Sequence, residues 1–111
     1  MDGVGIAATQ RLGASAAQLG TAFIACTESD ANGGYREALA GDAANHTVMT
    51  RAIAGRPAQC LRNWFTVLGT PMKTPESGYC AQWARQGAPL ADERPAAQLV
   101  ALLGQESKQH A

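Results

Sequence analysis

Apolar residues recur along most of this chain at the three- and four-residue spacing of helices. From Ile6 to Cys26 the stripe runs Leu12, Ala16, Leu19, Phe23, Cys26, with small residues four apart at Gly13/Ala17 and Ala16/Gly20, where a second helix backbone can approach. The run Glu28-Ser29-Asp30-Ala31-Asn32-Gly33-Gly34 is a loop, because Asn-Gly and paired glycines favour turns with positive φ. A short helix follows over Tyr35 to Ala40, closed by Gly41, with Asp42 or Asn45 capping the next.

Val48, Met49, Ala52 and Ile53 predict a helix over Ala44 to Ala54 that ends at Gly55. Pro57 then opens a helix carrying Cys60, Leu61, Trp64, Phe65 and Leu68, of which Leu61, Trp64 and Leu68 are expected in the core. The segment from Thr70 to Glu76 holds two prolines and reads as a connector. Tyr79, Cys80, Trp83 and Ala84 form a further short helical face, and Pro95 opens a last helix with Leu99, Val100, Leu102 and Leu103. No stretch alternates apolar and polar residues convincingly, so no strand is expected. The predicted fold is all-α, one compact domain over residues 1–111 built as a bundle of five or six short helices, with 1–5 and 104–111 frayed.

Composition narrows the picture. The chain is 46% hydrophobic but 5% aromatic, so alanine supplies much of the apolar content and the core is lean. Nine basic and nine acidic residues cancel, which removes any global field toward nucleic acid or an anionic membrane. The stretch from Ala14 to Cys26 is too short and too polar to span a bilayer, and no basic segment opens the chain as a secretory signal would, so a cytoplasmic protein is expected.

Candidate chemistry is sparse. Cys26, Cys60 and Cys80 are odd in number, widely separated and without zinc-ligand spacing, which reads as free thiols and no metal site. His46 is the one base outside the tail that could serve a cysteine, and buried thiols with a surface histidine are the simpler interpretation. Gly3-Val4-Gly5 lacks the third glycine of a dinucleotide loop. No catalytic residue and no cofactor are assigned, and the chain is not expected to be an enzyme.

Two binding functions remain. The first is a non-enzymatic protein that binds, inhibits or bridges a macromolecular partner, most simply a protein, through Trp64, Phe65, Tyr79 and Trp83. Its composition is that of small phage- or plasmid-borne inhibitor or accessory proteins, and a homodimer through the first helix is a related form. The alternative is a helix-turn-helix DNA-binding regulator over residues 44–68, with Arg51, Arg56, Gln59, Arg62, Asn63 and Lys73 near the nucleic acid. Arg51 and Pro57 fit that motif poorly, since the helix crossing needs a small residue where Arg51 stands.

Overall fold

The computed structural model describes residues 2–68 and 81–111, and these fall into two compact units, one of residues 2–30 and 90–111, the other of 31–68 and 81–89.

In the first unit, helix α1 (Gly3–Arg11) is capped by Asp2, whose carboxylate accepts the Gly5 N–H at 2.9 Å. The long first helix expected through Cys26 does not form. Gly13 takes φ +98°, which turns the chain out of the helix, and residues 14–19 run without regular structure to the short helix α2 (Thr21–Ile24). The two glycines that were expected to permit helix packing instead bracket a break. Helix α5 (Ala96–Gln109) follows Pro95 and continues through residues 104–109. It packs on α1. The core of this unit is Ala22, Cys26, Leu99 and Leu103, with Ile6, Leu19, Phe23 and Ala96 against it. This is the lean, alanine-containing core that the composition implies.

In the second unit, helix α3 (Gly33–Ala40) starts where Asn32 Oδ1 accepts the Tyr35 N–H at 2.9 Å and stops at Gly41. A single 3₁₀ turn, Asp42–Asn45, leads into strand β1 (Thr47–Thr50), which pairs antiparallel with β2 (Ala58–Leu61) in the register Thr47↔Leu61, Val48↔Cys60, Met49↔Gln59, Thr50↔Ala58. The all-α expectation is therefore wrong, and so are the two helices expected on either side of Gly55. Three of the four β1 residues are β-branched, a composition that suits a pleated surface better than a helix. Gly55 does turn the chain, at φ +70° with its N–H on the Arg51 carbonyl, but the turn joins strands.

A third segment extends this hairpin. Trp83 forms an antiparallel bridge to Cys60, the Leu61 N–H donates to the Gln82 carbonyl at 2.8 Å, and the Ala84 N–H donates to the Gln59 carbonyl at 3.3 Å. The helical face expected over 79–84 is accordingly extended backbone at residues 81–84, while Tyr79 and Cys80 lie outside the described residues. Helix α4 (Trp64–Leu68) is the remaining piece of the helix expected from Ala58. Leu61 is fully buried as anticipated, whereas Trp64 is 62% exposed.

Candidate functional site

The residues singled out for DNA binding are placed by the hairpin. Arg51 and Arg56 are exposed in its connecting turn. Gln59 lies on β2 and its Nε2 donates to Thr47 Oγ1 across the strands at 2.8 Å. Arg62 is exposed, with its backbone N–H on the His46 carbonyl at 2.8 Å.

Asn63 is the N-cap of α4. Its Oδ1 accepts the Thr66 N–H at 3.1 Å, Thr66 Oγ1 accepts the Asn63 N–H at 3.1 Å, and its Nδ2 reaches Gln82 Oε1 at 3.3 Å. Two of the six candidates thus serve as internal struts, and among the described residues no helix carries Arg51, Arg56 or Arg62. Lys73 lies outside the described residues.

Of the aromatic group, Trp64 is exposed on α4 and Trp83 is partly exposed beside Cys60, with its carbonyl accepting the Tyr35 hydroxyl. Phe65 belongs to α4 by its backbone, but its side chain and all of Tyr79 fall outside the described residues. The ring of His46 faces Asp42, Nε2 to Oδ2 at 3.2 Å on the surface, while Cys60 is fully buried and its thiol pKa is pushed up by burial. That arrangement gives a resting thiol rather than a thiolate nucleophile. Among the described residues no group of three or more His, Cys, Asp or Glu side chains is placed to hold a metal ion.

Three polar contacts that sequence reasoning missed organise the first unit. The Gly3 N–H at the start of α1 donates to Glu106 Oε2 at 2.9 Å, so a carboxylate from α5 neutralises the amino end of α1. Asp2 caps the same end. Glu28 in turn caps α5, accepting the Ala96 N–H on both oxygens at 2.9 and 3.2 Å, and that bond is the chief reason its pKa lies below the ordinary value. Asp2 ahead of a helix was a readable signal. Nothing in the sequence links Glu28 to Ala96 or Glu106 to Gly3.

Beside these helices runs an open apolar groove of about 560 Å³, whose walls include Ile6, Leu19, Phe23, Val100 and Leu103, with Gln10, Ser107 and Lys108 among its polar lining. A smaller hollow of about 180 Å³ lies against the start of α1, bordered by Asp2, Gly5, Ile6, Thr9, Ala17 and Leu19.

Comparison with known proteins assigns this arrangement. A family profile described as "Nitronate monooxygenase" matches residues 1–109. A nitronate monooxygenase of Paraburkholderia phytofirmans is 48% identical over 132 residues, covering 98% of this chain and 36% of the relative, and one of Pseudomonas aeruginosa is 43% identical, covering 96% and 37%. The first alignment runs to 132 positions against the 111 of this chain, so that relative has residues inside the matched span with no counterpart here.

Among solved structures, nitroalkane oxidase from Streptomyces ansochromogenes matches with a TM-score of 0.88 at 36% identity, covering 99% of this chain and 38% of that one. FabK from Thermotoga maritima matches with a TM-score of 0.80 at 30% identity, covering 97% and 42%. The chain therefore spans well under half the length of the proteins it matches.

These neighbours are α/β proteins of the TIM-barrel type, which replaces the helical-bundle expectation. The expectations of a non-enzymatic inhibitor or bridging protein, of a helix-turn-helix regulator, and of a protein, nucleic-acid or homodimeric partner are overturned with it, because the relatives are named for an oxidoreductase activity. No helix among the described residues is long and apolar enough to cross a membrane. By the match of its residues 1–109 and its 48% identity to a named relative, this chain belongs to the nitronate monooxygenase family.

Proposed function

We propose that the chain serves in the oxygenation of a nitronate, the anion of a nitroalkane, and that these residues supply one part of the α/β scaffold on which the reaction occurs. The observation that carries this reading is the 48% identity across 98% of the chain to a nitronate monooxygenase. Activation of dioxygen in such a reaction is the task of a redox cofactor, and the protein's part is to bind, orient and exclude water. Within that division of labour the residues described here do scaffold work. Glu106 and Gly3 tie α5 to the start of α1, and Glu28 ties the chain after α2 to the start of α5.

A cytoplasmic location belongs to the same proposal, supported by the free thiols of Cys26 and Cys60, which a reducing compartment preserves.

The test is a chimera in which this chain replaces the matching 36% of the Paraburkholderia enzyme. Oxygen uptake dependent on an added alkyl nitronate is expected from the chimera and not from the 111-residue chain alone. A chimera that folds as the parent does yet consumes no oxygen with nitronate would sink the proposal.

A further inference from the structure

Two helices of this chain begin on the same pattern, a capping Asp or Asn followed by glycine, and they differ in what holds the glycine N–H. At Asp2-Gly3 the glycine is buried and its N–H donates to Glu106 Oε2 at 2.9 Å. At Asn32-Gly33 both residues are exposed, and Gly33, as the first residue of α3, has no partner for its N–H within the helix. A Cβ added at Gly33 would meet nothing within 4 Å, so the space around that residue is open.

An asparagine followed by glycine carries both parts of an intramolecular reaction. The carboxamide carbon is the electrophile, and the next backbone nitrogen is a nucleophile that no Cβ shields. A solvent base takes the Gly33 amide proton, the nitrogen bonds to Asn32 Cγ, and the Cγ–Nδ2 bond breaks as ammonia leaves. The product is a succinimide. Water then opens the ring, at Cγ to give aspartate or at the backbone carbonyl of residue 32 to give isoaspartate, and either way the glycine nitrogen regains its proton.

The geometry points to Asn32 as a site of spontaneous deamidation, held back in the folded chain by its own capping bond. Its Oδ1 accepts the Tyr35 N–H at 2.9 Å, and a ψ of 167° leaves Cβ and the Gly33 nitrogen staggered about the Cα–C bond, where ring closure needs them eclipsed. Attack therefore waits for the first turn of α3 to open, as exposed helix ends do. The two products act oppositely. Aspartate keeps a capping oxygen and adds a charge that suits a helix start. Isoaspartate lengthens the main chain by a methylene and displaces that oxygen, which undoes the cap and with it the placing of Tyr35, whose hydroxyl donates to the Trp83 carbonyl.

Peptide mapping of the 111-residue chain after storage in mildly alkaline buffer is the test. Cleavage after Arg11 and Arg36 isolates the peptide 12–36, which is expected to gain the mass of amide-to-acid conversion and to become a substrate for isoaspartyl methyltransferase. The peptides that hold Asn45, followed by His46, and Asn63, followed by Trp64, are expected to stay unchanged, as is the amino-terminal peptide with Asp2-Gly3. Conversion in the folded chain should run about 5–30-fold slower than in denaturant, the factor that corresponds to opening a helix cap.

Gly33→Ala is expected to keep α3, since its Cβ has room, and to slow the conversion several-fold by shielding the nitrogen. Asn32→Ser keeps a capping oxygen and removes the amide, so its peptide 12–36 should gain no acid. Conversion at Asn45 or Asn63 as fast as at Asn32, or an unaltered rate in Gly33→Ala, overturns the site. An equal rate in the folded and the denatured chain overturns the restraint by the cap.

Discussion

Gly3 lies so close to Glu106 that a Cβ on the glycine would come 2.3 Å from the Cβ of Glu106, 2.5 Å from the Ser107 nitrogen and 2.7 Å from the Leu103 carbonyl. Two of those atoms belong to the backbone of α5 and cannot turn aside. The contact therefore sets how near α1 and α5 approach, and the Gly3 N–H to Glu106 bond of 2.9 Å depends on the same closeness.

Gly3→Ala must push the helices apart or distort one of them. Overpacking of this kind costs about 1–3 kcal/mol, and the lost bond to Glu106 adds to it. Thermal unfolding of the 111-residue chain is expected to show a clear drop in midpoint. Gly104→Ala is the contrasting variant, since a Cβ there meets nothing within 4 Å and the site is in a helix, so it should stabilise by about 0.5–1 kcal/mol. Equal effects of the two variants would show that the close approach at Gly3 is not what matters.

How much of this could be read from the chain differs between elements. The stop of α3 at Gly41 and the start of the last helix after Pro95 were legible, because both residues act locally on the backbone, whereas Asn32-Gly33-Gly34, expected as a positive-φ loop, instead caps and opens α3. The turn at Gly55 was legible too, as a glycine that needs positive φ. Its flanks were misread because Val48/Ala52 and Leu61/Trp64 happen to match helical spacing, while the β-branched Thr47, Val48 and Thr50 carried the contrary signal.

The break at Gly13 was misread for a related reason, since a glycine inside an apolar stripe can mark close packing or a stop. The roles of Glu28 and Glu106 were not legible. Glu28 acts on Ala96 and Glu106 on Gly3, contacts between segments 68 and 103 residues apart, and no local pattern encodes such a pair.

Asn63 offers the second prediction. Its side chain caps α4 through Thr66 and also reaches Gln82, which is buried and whose carbonyl pairs with Leu61. Asn63→Ala is expected to cost about 0.5–2 kcal/mol, the range for losing such a cap, and Asn63→Asp should retain most of the stability because the carboxylate still accepts the Thr66 N–H. Denaturant unfolding of the three proteins measures this. An alanine variant as stable as the parent would show that the cap is not used.

Glu28 gives the chain a defined response to acid. The Ala96 N–H, its own backbone N–H and the Thr27 hydroxyl favour its charged form, and these outweigh the opposing effect of burial, so the carboxyl titrates below its ordinary value of 4.5. A group whose pKa is lower in the folded chain adds stability that is complete above the unfolded value and is lost as pH falls through the folded one. The melting difference between the parent and Glu28→Gln should therefore be present at about pH 6 and shrink toward about pH 3. A difference that stays constant across that range would mean the carboxylate does not bind the end of α5 through its charge.

Cys60 should be chemically silent while the chain is folded. Its side chain is 0% exposed, it sits on β2 opposite Val48 and in a bridge with Trp83, and burial raises its pKa above the ordinary 9.0 because the thiolate would lose hydration without gaining a partner. Alkylation requires both the thiolate and access, and Cys60 offers neither at neutral pH. Iodoacetamide followed by mass analysis of the cysteine peptides should leave Cys60 unmodified in native buffer and label it fully in denaturant, with native labelling limited by opening of the hairpin. Labelling of the folded chain at the rate of a free thiol would show that the hairpin opens readily, and that the pairing of Gln59 and Leu61 with residues 82–84 does not hold it.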